Sequence, residues 1–311
     1  MIPHRPLSLL AALTLSLPFA TPLAAQEPLK VLATVGMIGD IAAQVGGECT
    51  QVTTLMGPGT DPHLFTPAPS DLRALQGAEI ILYGGLHLEG QLGEVLAKLG
   101  QSRPTVAVSE GAVPEERRLT AKDLPDPHVW MDPGLWKGTV PVIAAALTEA
   151  RPDCSAAIAS NAAAIEARIQ ALDDWAKTSL ATIPEAQRTL VTAHDAFAYF
   201  GRAFDLHVAA IQGISTTSEA AIADIDAVAD TVVSAGVPAV FVESTVNPRT
   251  IEALLQAVAA KGGVVRIGGQ LYSDSMGAEG SEDGSYIGMI RHNVTVITES
   301  LGGTPAPWPE G

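Results

Sequence analysis

The chain has 311 residues, of which 47% are hydrophobic and 17% are charged, and its formal net charge at pH 7 is -16. The high apolar fraction excludes a disordered chain, and the length is sufficient for two ordinary domains or one large one. The negative charge excludes nucleic-acid binding as the main activity, because a protein that binds phosphates needs a basic surface.

The first 25 residues have the pattern of a secretory signal peptide. Arg5 precedes an apolar run over residues 7–20, and small residues over 22–26 offer a cleavage site after Ala24 or Ala25. The run is too short to span a membrane, and no later segment replaces it. We therefore expect export to the periplasm. No cysteine lies at the cleavage site to accept a lipid, so we expect a freely diffusing protein that is not lipid-anchored.

The first half of the mature chain alternates short apolar strands with helices. Gly46 and Gly47 end the first helix, and Ser70 is expected to cap the second. Strands that alternate with helices predict a parallel sheet covered on both faces. The predicted strands are residues 29–34, 51–55, 80–83 and 105–108, and the predicted helices are residues 37–45, 70–76 and 91–99.

A long alanine-rich segment follows a helix predicted over residues 136–150. Leu, Ile and Trp recur at helical spacing over residues 155–182, and neither Pro nor Gly interrupts the segment. We interpret it as one helix that connects two lobes. A helix packed along a single domain would have the same sequence pattern, so the sequence leaves that alternative open.

The second half repeats the plan of the first, with four short strands and covering helices. The tail after Gly302 is rich in Pro and Gly, and we expect it to be loose. The predicted strands are residues 189–192, 207–211, 239–243 and 264–267, and the predicted helices are residues 196–203, 218–235, 248–261 and 286–301.

Two cysteines, Cys49 and Cys154, are the only ones in the chain. Thiols tend to pair in an exported protein, so we predict one disulfide bond between the end of the first helix and the start of the long helix. The two cysteines are not in a Cys-x-x-Cys motif, and we therefore do not expect a thiolate metal site.

The tripeptide Asp-Pro-His occurs twice, ending at His63 and at His128. Proline fixes its own φ and restricts the residue before it, so each histidine leaves a stiff turn. Two imidazoles presented in this way are typical of paired metal ligands. The alternative is that Asp-Pro merely opens a turn and that both histidines are solvated.

Two further candidate ligands follow predicted strands of the second half. His194 comes just after residues 189–192, and Asp274 comes after the strand that ends near residue 267. Ligands of parallel sheets lie beyond the carboxyl ends of the strands, so facing lobes would bring all four residues into one cleft. Three imidazoles and one carboxylate suit zinc well and manganese less specifically. Alternatively, His194 is hydrogen-bonded at a helix start and Asp274 is a plain loop residue.

Over nearly its whole mature length, the chain resembles the metal-specific solute-binding proteins of ABC transporters, the TroA-like zinc and manganese group. Carried over position by position, the resemblance implies the ligands His63, His128, His194 and Asp274. The matching segments are Leu-Met-Gly-Pro-Gly-Thr-Asp-Pro-His at 55–63, Asp-Pro-His-Val-Trp-Met-Asp at 126–132, Thr-Ala-His-Asp-Ala-Phe-Ala-Tyr-Phe at 192–200, Gln-Gly-Ile-Ser-Thr at 212–216 and Gly-Gly-Gln-Leu-Tyr-Ser-Asp at 268–274.

The resemblance also implies an α/β fold of two lobes, each with a four-stranded parallel sheet, joined by one long rigid helix. The expected boundaries are residues 1–25 for the signal peptide, 26–153 for the first lobe, 154–183 for the linking helix and 184–311 for the second lobe. Because a single helix bends less readily than a pair of strands, release should depend on loop motion and small lobe shifts. We expect the loop around Asp274, with Ser273, Ser275 and Gly277, to order on binding.

The implied function is capture of a divalent transition metal in the cleft between the lobes and delivery to an ABC permease and its ATPase. A periplasmic metallochaperone is a further candidate partner, and we expect a monomer that is not an enzyme. The alternative from another class is a periplasmic zinc hydrolase, which needs an open coordination position and a general base. The chain contains no His-Glu-x-x-His motif.

Zinc is the favoured metal, because His194 stands where manganese-binding members often have glutamate and histidine is the softer ligand. Manganese stays an alternative, since members with histidine at this position are associated with both metals. This chain also lacks the long His- and Asp-rich loop that many zinc members carry after the first ligand. Iron is a third candidate.

Each ligand imidazole needs a partner on its second nitrogen to fix its orientation. Asp132, Asp195 and Glu243 are candidates for this role, with surface ion pairing as the alternative for each. We expect His4 to be removed with the signal peptide. The remaining histidines are assigned structural roles: His87, His207 and His292.

Overall fold

A computed structural model describes residues 27–309 of the chain. The predicted signal peptide lies outside the described residues. Among the residues that are described, no helix combines the length and the apolar composition that a membrane crossing requires.

The first half contains the predicted four-stranded parallel sheet, in the order β2-β1-β3-β4. The central strand β1 is almost entirely buried, whereas Met56 is the one buried residue of the edge strand β2. The elements are β1 Leu29–Val35, α1 Gly36–Gly46, β2 Thr50–Met56, α2 Pro69–Gly77, β3 Ile80–Tyr83, α3 Leu92–Leu99, β4 Thr105–Ala107, α4 Val108–Ala112, the short antiparallel pair β5 Thr120–Ala121 and β6 Leu124–Pro125, α5 Pro133–Trp136 and α6 Thr139–Ala150.

Two helix starts in this half differ from the prediction. Helix α2 begins at Pro69, whose fixed φ suits a first helical position, and Ser70 is not its cap. Instead, the Asp71 carboxylate accepts the backbone N–H of Ala68 at 2.8 Å. The helix predicted from residue 136 is preceded by the short helix α5, because the Asp132 side chain accepts the N–H of Leu135 at 3.1 Å.

Helix α7, Ser155–Leu180, is the predicted long helix. At 1.5 Å per residue, its 26 residues span about 39 Å. It packs against α1, α5 and α6 of the first half and against α8 and α11 of the second. A helix that contacts both halves in this way suits the predicted role of connector, although the lobe boundaries stay a prediction.

The strands of the second half form two parallel pairs, β8 with β7 and β9 with β10, and β7 lies beside β9. The elements are β7 Thr189–His194, α8 Ala198–Phe204, β8 His207–Gln212, α9 Ile222–Ala235, β9 Ala239–Glu243, α10 Arg249–Ala260, β10 Arg266–Leu271 and α11 Tyr286–Ser300.

Strand β10 continues through Gly268 and Gly269, beyond the predicted end at residue 267. The register against β9 shifts between Ile267 and Gly269, which marks a bulge. A Cβ at Gly268 would lie 2.7 Å from the Phe241 ring and 2.9 Å from Ser300, so only glycine fits this close approach. The predicted strand at residues 264–267 was therefore placed too early.

Packing joins the two halves of the chain. The main hydrophobic core extends through the first half, α7 and part of the second half, and a smaller core lies between the strands of the second half and helices α9 and α10. Cys49 and Cys154 form the predicted disulfide bond, with their Cα atoms 6.4 Å apart.

The expectation of a loose tail was wrong for its described part, residues 303–309. The indole N–H of Trp175 in α7 donates to the carbonyl of Ala306 at 2.8 Å. The Trp308 ring packs edge-on against Trp175, with 5.2 Å between centroids, and the Arg291 guanidinium lies 4.5 Å from the Trp308 ring centre. The tail therefore packs across α7 and α11.

Candidate metal centre

Four buried side chains converge at the carboxyl ends of the strands: His63, His128, His194 and Asp274, hereafter the ligand cluster. Each is at most 5% exposed, and one candidate ligand atom from each lies within 4.8 Å of the others. His63 lies in the loop after β2, His194 is the last residue of β7, and Asp274 lies in the loop after β10. The four residues predicted from the sequence are therefore brought together.

The ring nitrogens of the cluster have a spacing that suits a small cation. The Nε2 atoms of His63 and His128 are 3.4 Å apart, and those of His128 and His194 are 3.3 Å apart. An ion that binds nitrogens at about 2.0–2.1 Å in a regular tetrahedron holds them about 3.3–3.4 Å from one another. These nitrogens could thus bind one zinc-sized ion with little rearrangement.

The two Asp-Pro-His turns share their backbone geometry and differ in their side chains. In each turn, Oδ1 of the aspartate accepts the backbone N–H of the histidine at 2.9 Å. Asp126 also binds the ring of its own histidine, with Oδ1 2.7 Å from Nδ1 of His128. Asp61 instead accepts the hydroxyl hydrogen of Thr216 from the second half. The first copy therefore links the two halves, and the second copy orients an imidazole.

Two of the three imidazoles are fixed by a carboxylate on Nδ1. Asp126 holds His128, and Oε2 of Glu243, at the end of β9, lies 2.7 Å from Nδ1 of His194. When Nδ1 donates its proton to a carboxylate, Nε2 keeps a lone pair that can bind a metal. Both Nε2 atoms face the cluster, so this tautomer is the one that suits metal binding.

The outcome for the predicted orienting partners is mixed. Glu243 has the predicted role, whereas Asp132 caps α5 and lies 3.8 Å from Arg202. Asp195 makes no side-chain hydrogen bond to the described residues 27–309. Asp126 was missed because the sequence analysis treated it only as a turn opener. Its position two residues before a ligand histidine was the available signal.

Asp274 is a buried carboxylate that lacks ordinary partners. Among residues 27–309, neither of its oxygens has a hydrogen bond of acceptable geometry. Its Oδ1 is 3.3 Å from Nε2 of His128, and its Oδ2 is 3.4 Å from Nε2 of His194 and 3.8 Å from Nε2 of His63. Leaving a carboxylate buried in this way is costly unless a cation balances it.

The charges within the cluster shift its protonation. Burial alone would raise the pKa of Asp274, but the imidazoles, His194 foremost, hold it well below its ordinary value. Burial lowers the pKa of His63 to about 4. For His128, burial also lowers the pKa, but Asp126 and Asp274 outweigh it and raise the pKa to about 10. Asp274 and Glu243 likewise raise the pKa of His194 against the effect of burial.

The loop of Asp274 is attached to the first half of the chain. The Ser275 hydroxyl accepts the N–H of Gly59 at 2.9 Å, and the Ser273 carbonyl accepts the indole N–H of Trp130 at 2.9 Å. The predicted ordering of this loop on binding stays a prediction.

The other described histidines lie outside the cluster. The ring Nε2 of His292 is 2.9 Å from the carbonyl of Gln270, and the ring packs on Tyr272. His87 is exposed in a left-handed conformation with φ of 67°, and His207 is exposed at the start of β8.

Comparison with known proteins gives concordant results. The model of the family described as "ZnuA: Zinc-uptake complex component A periplasmic" matches residues 31–300. The chain is 43% identical over 279 residues to the manganese-binding lipoprotein MntA of Bacillus subtilis, with 89% of this chain and 91% of that protein covered. It is 41% identical over 272 residues to the zinc-binding protein TroA of Treponema pallidum, with 87% and 88% covered.

A solved structure of the periplasmic zinc-binding protein TroA from Treponema pallidum superposes with a TM-score of 0.86 at 40% identity, covering 88% of this chain and 99% of that one. This match agrees with the predicted α/β fold of parallel sheets and helices. The chain belongs to the ZnuA family, the TroA-like metal-binding substrate-binding proteins of ABC transporters.

Proposed function

We propose that the protein captures a divalent transition metal ion with His63, His128, His194 and Asp274 and delivers it to an ABC permease and its ATPase. The observation that carries the proposal is the buried Asp274 carboxylate, which has no hydrogen-bond partner among the described residues and faces three ring nitrogens. A cation at their centre would satisfy the carboxylate and all three lone pairs at once.

Zinc is the favoured cargo. Support comes from the nitrogen-rich ligand set and from Nε2 separations of 3.3 and 3.4 Å, which suit a tetrahedral ion. The names of the relatives do not decide between metals, since TroA is named for zinc and MntA for manganese at similar identity. Manganese stays the alternative, followed by iron. Elemental analysis of protein purified from its own periplasm, followed by competition between zinc and manganese, would test the choice.

Calorimetry on ligand variants tests the site. We expect His63→Ala, His128→Ala and His194→Ala each to weaken zinc binding by at least about 100-fold, since loss of a ligand exceeds the effect of losing its orienting partner. Asp274→Ala should weaken retention by a smaller amount, because water can partly replace the carboxylate. His292→Ala is the matched control, since this histidine lies outside the cluster. Equal losses from all variants would refute the assignment.

A closed shell of four protein ligands suits carriage, whereas a hydrolytic zinc site needs an open position for water. Transport is therefore proposed in preference to catalysis. A zinc hydrolase would show ester or peptide hydrolysis that disappears with a chelator, and such activity in the wild-type protein would favour the alternative.

The periplasmic location agrees with the family description. The expectation that the protein carries no lipid anchor conflicts with the names of several relatives, MntA of Bacillus subtilis among them, which are named lipoproteins. Separation of membranes from the periplasmic fraction would test this point, and recovery with the membranes would contradict it. We also propose the lobe boundaries given above, a monomeric state and loading by a metallochaperone. Sedimentation analysis would test the monomeric state.

A further inference from the structure

Trp130 connects a ligand of the first half with the backbone that carries a ligand of the second. Its indole N–H donates to the carbonyl of Ser273 at 2.9 Å, across 143 residues of sequence. Its ring also packs edge-on against the His128 imidazole, with 5.3 Å between centroids. The side chain is 1% exposed, so water does not compete for this hydrogen bond.

Trp130 is itself held in place from the other side. Its backbone carbonyl accepts the hydroxyl hydrogen of Tyr286 at 2.9 Å. Tyr286 is fully buried as the first residue of α11, and its N–H donates to Asp40 of α1 at 2.9 Å. The indole therefore extends from an anchored backbone, and its N–H holds the loop of Asp274 at a fixed position.

The acceptor is the peptide group that joins Ser273 to Asp274. Fixing that carbonyl fixes the peptide plane, and with it the Cα position from which the Asp274 carboxylate extends. No hydrogen bond from residues 27–309 holds the carboxylate itself. Its position in the cluster thus depends on its backbone, and Trp130 supplies a direct bond to that backbone from the first half.

We propose that Trp130 is a positioning residue that places Asp274 and thereby slows release of the bound metal. The inference rests on the proposed function, because it assigns a role within the same site. Loss of the indole N–H would leave the Gly59–Ser275 hydrogen bond as the remaining tie of this loop to Gly59 of the first half, and the ion would lose its carboxylate ligand more often. The effect should be on the dissociation rate, since the substitution leaves all three imidazoles of the cluster in the chain.

The chain offers a matched control for the substitution. Trp136 is also fully buried and packs on Trp130, with 6.3 Å between centroids. Within residues 27–309, its indole N–H has no hydrogen-bond partner. Trp130→Phe and Trp136→Phe therefore remove similar apolar volume from one cluster, but only the first removes a hydrogen bond to the ligand loop.

The test measures zinc release from the full mature protein into an excess of a chromogenic chelator by stopped flow. We expect Trp130→Phe to release zinc about tenfold faster than the wild type, and Trp136→Phe to stay within about twofold of it. In an Asp274→Ala background, Trp130→Phe should cause no further acceleration, because the residue acts through that carboxylate.

Equal release rates for Trp130→Phe and wild type would overturn the proposal. Equal acceleration by Trp130→Phe and Trp136→Phe would also overturn it, and so would an undiminished acceleration by Trp130→Phe in the Asp274→Ala background. If Trp130→Phe does not fold, benzothienylalanine at position 130 keeps the shape and replaces the N–H by sulfur, with the same expectations. A wild-type protein that binds neither zinc nor manganese would instead refute the proposed function.

Discussion

Replacing Glu243 by glutamine should invert the tautomer of a ligand histidine. The Glu243 carboxylate accepts three hydrogen bonds from the end of β7: the N–H groups of Ala193 and His194 bind Oε1 at 2.8 and 2.9 Å, and Nδ1 of His194 binds Oε2 at 2.7 Å. The carboxylate is 3% exposed, and glutamine has nearly the same shape. The change therefore alters hydrogen-bond chemistry with little change in packing.

The backbone N–H groups can only donate, so they should keep the amide oxygen of Glu243→Gln on their side. The amide NH₂ group then faces Nδ1 of His194, which must become an acceptor. The imidazole proton moves to Nε2, the nitrogen that faces the ligand cluster, and blocks its lone pair. Loss of such an orienting partner weakens metal affinity by about 10–100-fold, which is about 1.4–2.8 kcal/mol.

Competition titration against a zinc indicator of known affinity measures this change. Asp195→Asn is the matched control, because Asp195 is next to His194 in sequence and makes no side-chain hydrogen bond to the described part of the chain. Because the Asp195 charge acts on His128 and His194, we expect the control to lose affinity through charge alone, and by clearly less than Glu243→Gln. Wild-type affinity in Glu243→Gln, or an equal loss in Asp195→Asn, would refute the tautomer argument.

We expect metal binding at pH 7 to release about one to two protons per ion, because the pKa of two ligand imidazoles is raised, one to about 10, and the ion must displace their protons. Affinity should thus rise with pH from 6.5 towards 10. Calorimetry in buffers of different ionisation enthalpy measures the number of protons released per ion. Release of no protons would contradict the raised pKa of these imidazoles. Thr216→Val removes the hydroxyl that binds Asp61 between the halves and should speed metal release about three- to tenfold in the chelator assay. The control is Thr217→Val, which loses only the hydroxyl contact with Ser215, and equal effects would exclude a link between the halves. Replacing both Cys49 and Cys154 by serine should lower the free energy of unfolding by about 2–4 kcal/mol in chemical denaturation, since the bond closes a loop of 105 residues. Zinc affinity should change little, because Cys49 precedes β2 at the edge of the sheet opposite the ligands; a large loss would contradict this separation.

The convergence of the four candidate ligands could be predicted because each follows a recognisable strand or a stiff turn. Parallel strands place their carboxyl ends at one edge, so His194 and Asp274 could be assigned to a common cleft before any coordinates. The long helix was equally clear, since its apolar residues recur at helical spacing without a Pro or Gly.

The errors have local physical causes. The strand predicted at residues 264–267 was placed too early, because β10 continues through Gly268 and Gly269, where a bulge admits the Phe241 ring. The Pro- and Gly-rich composition of the tail predicted a loose segment, yet contacts with Arg291 and with Trp175, 131 residues before Ala306, hold it in place. Glu243 could be only a candidate for the partner of His194, because 49 residues separate the two.

The four candidate ligands are held in two different ways. His128 and His194 are each fixed by a carboxylate within their own half, Asp126 and Glu243 respectively. The segments of the other two ligands are held by contacts between the halves: Asp61 binds Thr216 beside His63, and Trp130 and Gly59 bind the loop of Asp274.

This difference suggests an order of release under the proposed function. His128 and His194 keep their orienting carboxylates when the halves move apart, whereas the segments of His63 and Asp274 depend on contacts between the halves. A small separation would therefore break the contacts that hold His63 and Asp274 first and leave the ion on two imidazoles. Because α7 packs against helices of both halves, we expect any such separation to be small. A metal site that is half fixed and half dependent on lobe contact can hold its ion tightly and still release it without unfolding.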